Sequence, residues 1–294
     1  MRKIVVTGAS GVVGSALLEL AGSYSDISVL ALSRREKTGE SRDYVSWAET
    51  DYSEASLMPL LKGADAVIHM AGIKGTIKDL EGYDEDMRMT ENLLKASAAN
   101  GVGSFIYASS RLVYGDPEKV PWTEDTPVDP RSAYGLNKVR CEKLCEKYHE
   151  ECGLRTVVIR IAQVLSEADN MRNMVNVFRE LAREKKQITV MGKSAARRQY
   201  IYSRDLAKVI WALADPDTCG SCTVNAGMEK AYTNLEIAEA FNEAYGNSEP
   251  VNYDDSSAET ITPSYMDVSR MLELTGVVPG DMHATLSDMA LRQK

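Results

Sequence analysis

Tyr134 and Lys138 are spaced to act together in proton transfer. They are four positions apart, which places them on the same face of a helix if this segment is helical. An ammonium group stabilises a neighbouring phenolate, and a positively charged nicotinamide ring adds to this effect. The phenolate can accept a proton from a substrate hydroxyl, and the phenol can donate one to a ketone. The pair therefore predicts proton transfer coupled to hydride transfer with a nicotinamide cofactor.

A glycine-rich turn near the start of the chain predicts the site for that cofactor. The turn, Thr7-Gly-Ala-Ser-Gly-Val-Val-Gly14, lies between a predicted strand and a predicted helix, with glycines spaced G-x-x-G-x-x-G. Glycines let the backbone approach a pyrophosphate closely, and the helix N-terminus offers unpaired N–H groups and the positive end of a dipole. The predicted cofactor contacts in the turn are Gly8, Ser10, Gly11, Val12, Val13 and Gly14.

The end of the second predicted strand bears on the choice of dinucleotide. A carboxylate there normally binds the adenosine ribose. This strand ends in Ser33, Arg34 and Arg35, and guanidinium groups bind a 2′-phosphate that a carboxylate would repel. The sequence therefore favours NADP, with NAD possible; the alternative is an exposed arginine pair with no ligand. Asp51 and Tyr52 are further predicted cofactor contacts, with Asp51 facing the adenine amino group.

The first half of the chain alternates short apolar strands with amphipathic helices. The predicted strands are Lys3–Thr7, Ile27–Leu32, Ala66–Met70, Ser104–Ser109 and Thr156–Ile161, with a weaker one at Tyr44–Trp47. The predicted helices are Val12–Ala21, Ser53–Leu61, Tyr83–Asn100 and Ala133–Glu151. Strands that are apolar throughout indicate a parallel sheet covered on both faces by helices. The predicted fold class is therefore α/β, a doubly wound parallel-sheet Rossmann fold.

The alternation loosens after the last of these strands, which predicts a smaller, mixed C-terminal substrate lobe. The predicted helices are Met171–Lys185, Arg204–Ala214 and Asn234–Tyr245, with a short strand at Ile188–Met191 and a polar loop over Asn247–Pro263. We expect a dinucleotide-binding Rossmann domain over residues 1–162, to which residues 199–227 return. Residues 163–198 and 228–294 would form the substrate lobe.

Two serines, Ser109 and Ser110, lie at the end of the fifth predicted strand. Ligands of doubly wound folds bind beyond the carboxyl ends of the strands. We therefore expect both hydroxyls to hydrogen-bond the reacting oxygen. The helix that carries Tyr134 and Lys138 follows this strand, so all four side chains are predicted at one edge of the sheet.

Together these stretches resemble the extended short-chain dehydrogenase/reductase family, which contains UDP-galactose 4-epimerase and related NAD(P)-dependent epimerases and dehydratases. The resemblance covers nearly the whole chain. It rests on the glycine turn and on residues 61–72, 105–115, 134–138, 198–205 and 224–227. It implies that Ser110 is the catalytic serine, that Tyr134 is the acid/base, and that Lys138 also holds the nicotinamide ribose. The residues that would contact the cofactor in this part of the site are Tyr134 and Lys138 themselves, together with Met70, Ala71 and Gly72.

The resemblance also implies contacts with a substrate and with a second subunit. Arg198, or Arg197 beside it, would grip the diphosphate of a nucleotide sugar. Helices 83–100 and 133–151 would form the interface of a homodimer.

The chain departs from the family pattern mainly on the substrate side. Dehydratases carry an Asp-Glu pair after the catalytic residue, whereas this chain has Arg111 and Leu112, which disfavours dehydration. Gln163 and Asp86 each replace an asparagine, and segment 253–262 lacks the second diphosphate-binding arginine. The predicted substrate contacts are Ser109, Ser110, Arg111, Gln163 and Arg198. The cofactor half of the site is therefore better supported than the substrate half.

Composition excludes several other classes of protein. A net charge of -9 argues against nonspecific binding to nucleic acid or to an anionic membrane. No apolar run reaches the roughly 18 residues of a membrane span, so a cytoplasmic location is expected. The five cysteines are scattered and predicted to be ordinary reduced thiols, including the pair in Cys219-Gly-Ser-Cys222. No metal site is predicted.

The leading hypothesis is an epimerase or ketoreductase of the sugar-nucleotide type, with a small-molecule substrate. One alternative is an NADPH-dependent reductase of a non-nucleotide carbonyl, because the second arginine is missing. Another is a redox sensor that binds dinucleotide without turnover. The set of Ser110, Tyr134 and Lys138 argues against a sensor, which has no use for an acid/base phenol.

Overall fold

The computed structural model describes residues 1–35, 42–73, 75, 77–192, 194–254, 256 and 262–293. Its strands are β1 (Arg2–Thr7), β2 (Ile27–Ser33), β3 (Val45–Glu49), β4 (Ala66–His69), β5 (Ser104–Ser110), β6 (Arg155–Ile161), β7 (Gln163–Leu165), β8 (Thr189–Met191), β9 (Tyr200–Tyr202), β10 (Cys222–Ala226) and β11 (Asn252–Asp254). Its α-helices are α1 (Val12–Ala21), α2 (Glu54–Leu61), α3 (Asp84–Ala99), α4 (Ala133–Cys152), α5 (Met174–Arg183), α6 (Ser203–Ala214), α7 (Asn234–Tyr245), α8 (Ser269–Thr275) and α9 (Met282–Arg292).

Seven of the strands form one parallel sheet in the order β10-β6-β5-β4-β1-β2-β3. Helices α1 and α6 pack together over one face, where Leu17 and Leu206 join a buried core. Helices α2, α3 and α4 cover the other face through Leu57, Leu93 and Leu144. The doubly wound α/β fold predicted from the alternation is therefore confirmed, because both sheet faces are apolar and both carry helices.

A third core lies apart from the sheet and is built by α5, α7, α9 and β8. Its buried members include Phe178, Val190, Phe241 and Leu286. The β7–β9 pair lies beside this core, and β11 pairs with β8 at its edge. The domain boundaries expected from the sequence stay a prediction, although β10 lies at the edge of the main sheet.

The structure corrects the expected secondary structure of the C-terminal part. Segment 247–263 was expected to be a loop, but Asn252–Asp254 forms β11, which pairs in parallel with β8. Residues 255 and 257–261 of that segment lie outside the described residues. Strands β7 and β9 and helix α8 were not predicted, because elements of three to seven residues carry little periodicity. Strand β10 and helix α9, of five and eleven residues, were also missed. No helix in the described ranges is both long and apolar enough to cross a membrane.

Candidate active site

The glycine turn joins β1 to α1 and packs against the end of β4. Gly8 has a φ of +65°, and a Cβ atom added there would lie 2.6 Å from the Ala71 nitrogen. A Cβ atom added at Gly14 would lie 2.2 Å from the Gly8 carbonyl oxygen. The Ala71 N–H also donates to the Thr7 hydroxyl at 3.1 Å. Only glycine fits these two positions, and the fit brings the turn and the 70–72 segment together.

The N-terminus of α1 has the chemistry that a pyrophosphate requires. Gly11 is the N-cap residue and makes no side-chain cap, and the first turn contains no acidic residue. Ser10 and Gly11 are exposed, and Val12 and Val13 are partly exposed. The first N–H groups of such a helix lack intrahelical partners and lie at the positive end of the helix dipole. These residues therefore fit the phosphates of a dinucleotide.

The residues expected to bind the adenosine end lie around the ends of β2 and β3. The Ser33 hydroxyl accepts a hydrogen bond from the Arg35 N–H at 3.3 Å, and Arg34 and Arg35 are exposed. Asp51 is exposed, and its carboxylate accepts hydrogen bonds from the Ser56 hydroxyl at 2.7 Å and the Ser53 N–H at 2.9 Å. These bonds hold the pKa of Asp51 at about 2, so its carboxylate is an anion at neutral pH.

The side chain of Tyr52, a predicted cofactor contact, is turned away from the cofactor site. The ring is buried, its hydroxyl donates to the Leu32 carbonyl at 3.4 Å, and burial raises its pKa to about 12. Its backbone lies in the left-handed region with a φ of 59°. A cofactor contact of Tyr52 is therefore limited to the main chain, because the ring packs under the sheet.

Tyr134 and Lys138 lie in the first turns of α4, which Ser132 caps by accepting the Gly135 N–H at 3.1 Å. Lys138 is 5% exposed and donates to the Ala108 carbonyl of β5 at 2.9 Å. Its Nζ atom lies 5.6 Å from the centre of the Tyr134 ring. The Tyr83 ring packs edge-on against Tyr134 at 6.1 Å. The ammonium is therefore held in place beside the phenol by the strand that precedes it.

The two serines at the end of β5 have different partners. The Ser110 hydroxyl accepts the Leu112 N–H at 3.2 Å, which leaves its proton for another acceptor. A Cβ atom added at Gly135, next to Tyr134, would lie 2.1 Å from the Leu112 carbonyl oxygen. The segment after Ser110 and the start of α4 are therefore in direct contact.

Ser109 is turned into the protein and donates a short hydrogen bond to the Glu142 carboxylate on α4. It is 4% exposed. This corrects the expectation that both serine hydroxyls face the reacting oxygen. The reason is the alternation of side chains along a strand, which sends neighbours in different directions.

A buried carboxylate, Asp86, lies behind the cofactor-lining segment. It accepts hydrogen bonds from the Ile73 N–H and the Asn137 amide, each at 3.0 Å. A Cβ atom added at Gly72 would lie 3.5 Å from both the Asp86 carboxylate and the Lys138 ammonium. Burial raises the pKa of Asp86, and Lys138 opposes that shift. Asp86 thus fixes the backbone at Ile73 against Asn137 of α4, a role that its place in the sequence did not reveal.

His69 stays outside the set of reacting groups. Its Nδ1 atom lies 2.7 Å from the Thr7 hydroxyl and its Nε2 atom 3.0 Å from the Thr90 hydroxyl. The Thr90 hydroxyl donates to the Asp86 carbonyl, so Nε2 is the protonated nitrogen of His69. Burial lowers the pKa of His69 to about 3, which keeps the ring neutral. Its role is to join the ends of β1 and β4 to α3.

Two arginines and a tyrosine form a candidate anion site on the substrate side. Arg111 donates a short hydrogen bond to the Ser264 hydroxyl, and Arg198 donates to the Asn234 amide oxygen at 2.9 Å. The Arg198 Nε atom and the Tyr200 hydroxyl are buried without a hydrogen-bond partner. Burial, together with the charge of Arg198, lowers the pKa of Arg111 to about 10. Two partly buried guanidinium groups, one of which has an unpaired N–H donor, favour the binding of an anion.

The structure also separates Arg198 from its neighbour Arg197. Arg197 forms an ion pair with Glu236 at 3.0 Å and donates to the Ala231 carbonyl at 2.8 Å. Arg198 forms no ion pair with any residue of the described segments. Gln163 begins β7 and lies opposite Tyr200 of β9, so it is close to the candidate anion site. Arg198 is therefore better placed than Arg197 to hold a substrate anion.

Comparisons with known proteins identify the family to which the chain is similar. A family model described as "NAD dependent epimerase/dehydratase family" matches residues 4–227. An uncharacterized UDP-glucose epimerase of Bacillus subtilis, YtcB, is 26% identical over 291 residues, with 92% of this chain and 91% of the relative covered. The UDP-glucose 4-epimerase of Neisseria meningitidis serogroup B is 27% identical over 306 residues, covering 92% and 90%. The crystal structure of a UDP-N-acetylglucosamine 4-epimerase from Bacillus cereus is similar with a TM-score of 0.91 and 28% identity, covering both chains completely.

Proposed function

The chain belongs to the NAD dependent epimerase/dehydratase family, and we propose that it epimerises the sugar of a nucleotide sugar with bound NAD(P). The observation that supports this most is the buried Lys138 ammonium, held by β5 beside the Tyr134 phenol and across Gly72 from Asp86. The relatives compared above are UDP-sugar epimerases by name. An Asp-Glu pair for dehydration is absent after Ser110, where Arg111 and Leu112 stand.

In this proposal the protein's own side chains handle the proton. Tyr134 accepts the proton of a sugar hydroxyl and later returns it to the same oxygen. The Ser110 hydroxyl donates to that oxygen, and the Lys138 ammonium stabilises the phenolate while it persists. A bound nicotinamide supplies the hydride acceptor and donor. Asp86 holds the backbone at Ile73, and the Ala108 carbonyl holds Lys138, so both stay in place during the exchange.

The choice between NAD and NADP depends on the end of β2. The family description indicates NAD, and it lends no support to the preference for NADP that the sequence favours. The β2 end carries the Ser33 hydroxyl and two exposed guanidinium groups where a ribose-binding carboxylate would stand. We propose that NAD is the working cofactor and that Arg34 lets the site accept NADP as well.

Replacing Arg34 with alanine is expected to weaken NADP binding about ten- to a hundredfold and to change NAD binding by about twofold or less. The lost interaction is a charge-assisted hydrogen bond to the 2′-phosphate, which contributes about 1.5–3 kcal/mol. Fluorescence titrations of both dinucleotides against wild type, Arg34→Ala and Arg35→Ala measure this. Equal losses for NAD and NADP in Arg34→Ala would show that Arg34 does not recognise the 2′-phosphate.

The substrate half of the proposal rests on the pair of Arg111 and Arg198. The second diphosphate-binding arginine expected in segment 253–262 is missing from the sequence. Arg111 donates a hydrogen bond to Ser264, which follows that segment, and the charge of Arg198 contributes to the lowered pKa of Arg111. We infer that Arg111 takes the place of the missing arginine, so that a diphosphate binds between Arg111 and Arg198.

The Arg111→Met variant is expected to raise the KM for a UDP-sugar about ten- to a hundredfold with a much smaller change in kcat. The substitution keeps an unbranched side chain that can pack in the same place, and it removes a charged donor that binds substrate and transition state alike. Steady-state kinetics with wild type, Arg111→Met and Arg197→Met provide the comparison. Arg197 is paired with Glu236, so its variant should keep the wild-type KM. An unchanged KM in Arg111→Met would exclude Arg111 from substrate binding.

The proposed function is tested by incubating the protein with UDP-glucose or UDP-N-acetylglucosamine and NAD, and separating the epimers by chromatography. Interconversion of epimers with no net change in nicotinamide absorbance supports an epimerase. Net consumption of a reduced cofactor with a simple carbonyl compound and no epimer product would instead establish a reductase. Dinucleotide binding with no turnover of either kind would indicate a sensor. A homodimer and a cytoplasmic location stay predictions.

A further inference from the structure

Two cysteines lie together at the end of the sheet where the strands begin, opposite the end that carries the candidate active site. Cys219 lies in the connection from α6 to β10, residues 215–221, and Cys222 is the first residue of β10, the edge strand. Their Sγ atoms are 3.3 Å apart, and both side chains are half-buried. The site expected for substrate is at the carboxyl ends of the strands, whereas Cys222 begins its strand. The function proposed above uses neither thiol.

An arginine binds the first of these cysteines at two atoms. The Arg155 Nε–H donates to the Cys219 carbonyl oxygen at 2.7 Å, and an Arg155 Nη2–H donates to the Cys219 sulfur at 3.4 Å. Arg155 is itself fixed by the Leu213 carbonyl at 2.9 Å and by the Ser104 hydroxyl. The hydrogen bond from Cys222 and the Arg155 guanidinium lower the pKa of Cys219 to about 6. The Cys219 sulfur is therefore prepared as a thiolate, the reactive form of the side chain.

The loop between the sulfurs has room for the small change that a bond requires. A Cβ atom added at Gly220 would meet no heavy atom within 4 Å, so the loop is not packed against a neighbour there. A disulfide has an S–S length of about 2.05 Å. The sulfurs would need to approach by roughly 1 Å from their present separation, within a loop that is open to solvent.

We propose that Cys219 and Cys222 are a redox-active pair that forms a reversible disulfide by exchange with a small-molecule disulfide. The Cys219 thiolate attacks one sulfur of that compound, which forms a mixed disulfide and releases one thiolate. Cys222 loses its proton to solvent, attacks the Cys219 sulfur and releases the second thiolate. Counted from two thiols, the protein loses two electrons and two protons, and the two released thiolates take up two protons from solvent to become thiols.

The remaining cysteines provide an internal comparison. Cys141 and Cys145 are fully buried, and burial raises the pKa of each thiol. Cys152 is exposed at the end of α4 but has no second cysteine at bonding distance in the described part of the chain. We therefore expect oxidation to select Cys219 and Cys222 because these two sulfurs are close together and Arg155 binds that of Cys219. Exposure alone would instead favour Cys152.

The experiment treats the full chain with oxidised glutathione and maps the products by peptide mass spectrometry. We expect the peptide that contains both Cys219 and Cys222 to lose two hydrogen atoms, and a reducing agent to restore them. The Cys222→Ser variant should instead accumulate one glutathione on Cys219, because the second exchange step is blocked. Glutathione found on Cys152 alone, with Cys219 and Cys222 unmodified, would overturn the proposal.

A second measurement tests the reactivity of Cys219 without forming the disulfide, so it does not depend on whether the disulfide distorts the loop. The rate at which iodoacetamide alkylates Cys219 is followed against pH in the Cys222→Ser and Cys222→Ala variants. Serine keeps a donor for the Cys219 thiolate and alanine does not, so the midpoint should be higher in the alanine variant. Alkylation of Cys219 at neutral pH that is no faster than that of Cys152 would also overturn the proposal.

Discussion

Replacing Tyr134 with phenylalanine is expected to lower kcat about a thousandfold, because positioned acid/base groups contribute about a hundred- to ten-thousandfold. The phenyl ring can keep the contact with Tyr83 and the position over Lys138. The variant therefore loses one hydroxyl and little packing. We expect NAD(P) affinity to stay within about twofold of the wild type, since the substitution removes one hydroxyl and leaves the proposed phosphate site at the glycine turn unchanged.

The measurement compares the rate of UDP-sugar epimerisation with dinucleotide binding in the same preparation. Tyr83→Phe is a matched control, because it removes a hydroxyl that donates to the Ile77 carbonyl at 3.4 Å from the neighbouring ring. That control should keep most of the turnover. If Tyr134→Phe retains turnover within about tenfold of the wild type, a different group is the acid/base. If cells that carry Tyr134→Phe keep the full wild-type phenotype although turnover is lost, the sensor hypothesis is favoured.

The Glu142→Ala variant is expected to lose about 3–5 kcal/mol of its free energy of unfolding, the usual cost of removing one member of a buried ion pair. Arg160 and Glu142 are 9% and 11% exposed and form two hydrogen bonds at 2.8 and 3.2 Å. Burial lowers the pKa of Arg160, and the bonds to Glu142 more than reverse this shift. Without Glu142 the guanidinium stays charged in a site shielded from water, and Ser109 loses its acceptor.

Urea unfolding followed by circular dichroism measures this loss of stability. The double variant Glu142→Leu with Arg160→Met should recover part of it, because no unpaired charge remains. Lys95→Ala breaks an exposed pair with Glu54, whose side chains are 51% and 53% exposed, and should cost below about 1 kcal/mol. A loss below about 1 kcal/mol in Glu142→Ala would mean that water or another acceptor replaces the carboxylate.

The sheet and the helices that cover it could be predicted from the sequence because their determinants are local. Runs such as Ile27–Leu32 and the stripe along Val12–Ala21 bury apolar side chains with the periods of strand and helix. The C-terminal elements were harder, since β7, β9 and β11 have three residues each. Elements of that length exist only because a neighbouring strand pairs with them, and the pairing is remote in sequence.

The candidate site also has one part that could be predicted from the sequence and one part that could not. The glycine turn and the spacing of Tyr134 and Lys138 are chemical patterns within one segment, so the residue types alone indicated hydride and proton transfer. Asp86 gave no such indication. Its partners Ile73 and Asn137 come from two other segments, 13 and 51 residues away.

By itself, the sequence determined the fold class, the glycine turn and the placement of Tyr134 and Lys138 on one helix, because backbone propensity, apolar period and helical spacing act over a few residues. Only the tertiary structure decided that Ser109 binds Glu142 and that the Tyr52 ring is buried. It also brought Arg111 to Ser264 across 153 residues, and Cys219 to Arg155 across 64. These contacts depend on how strands and loops pack around shared cores, and hydrogen bonds between distant segments leave no pattern in a single chain.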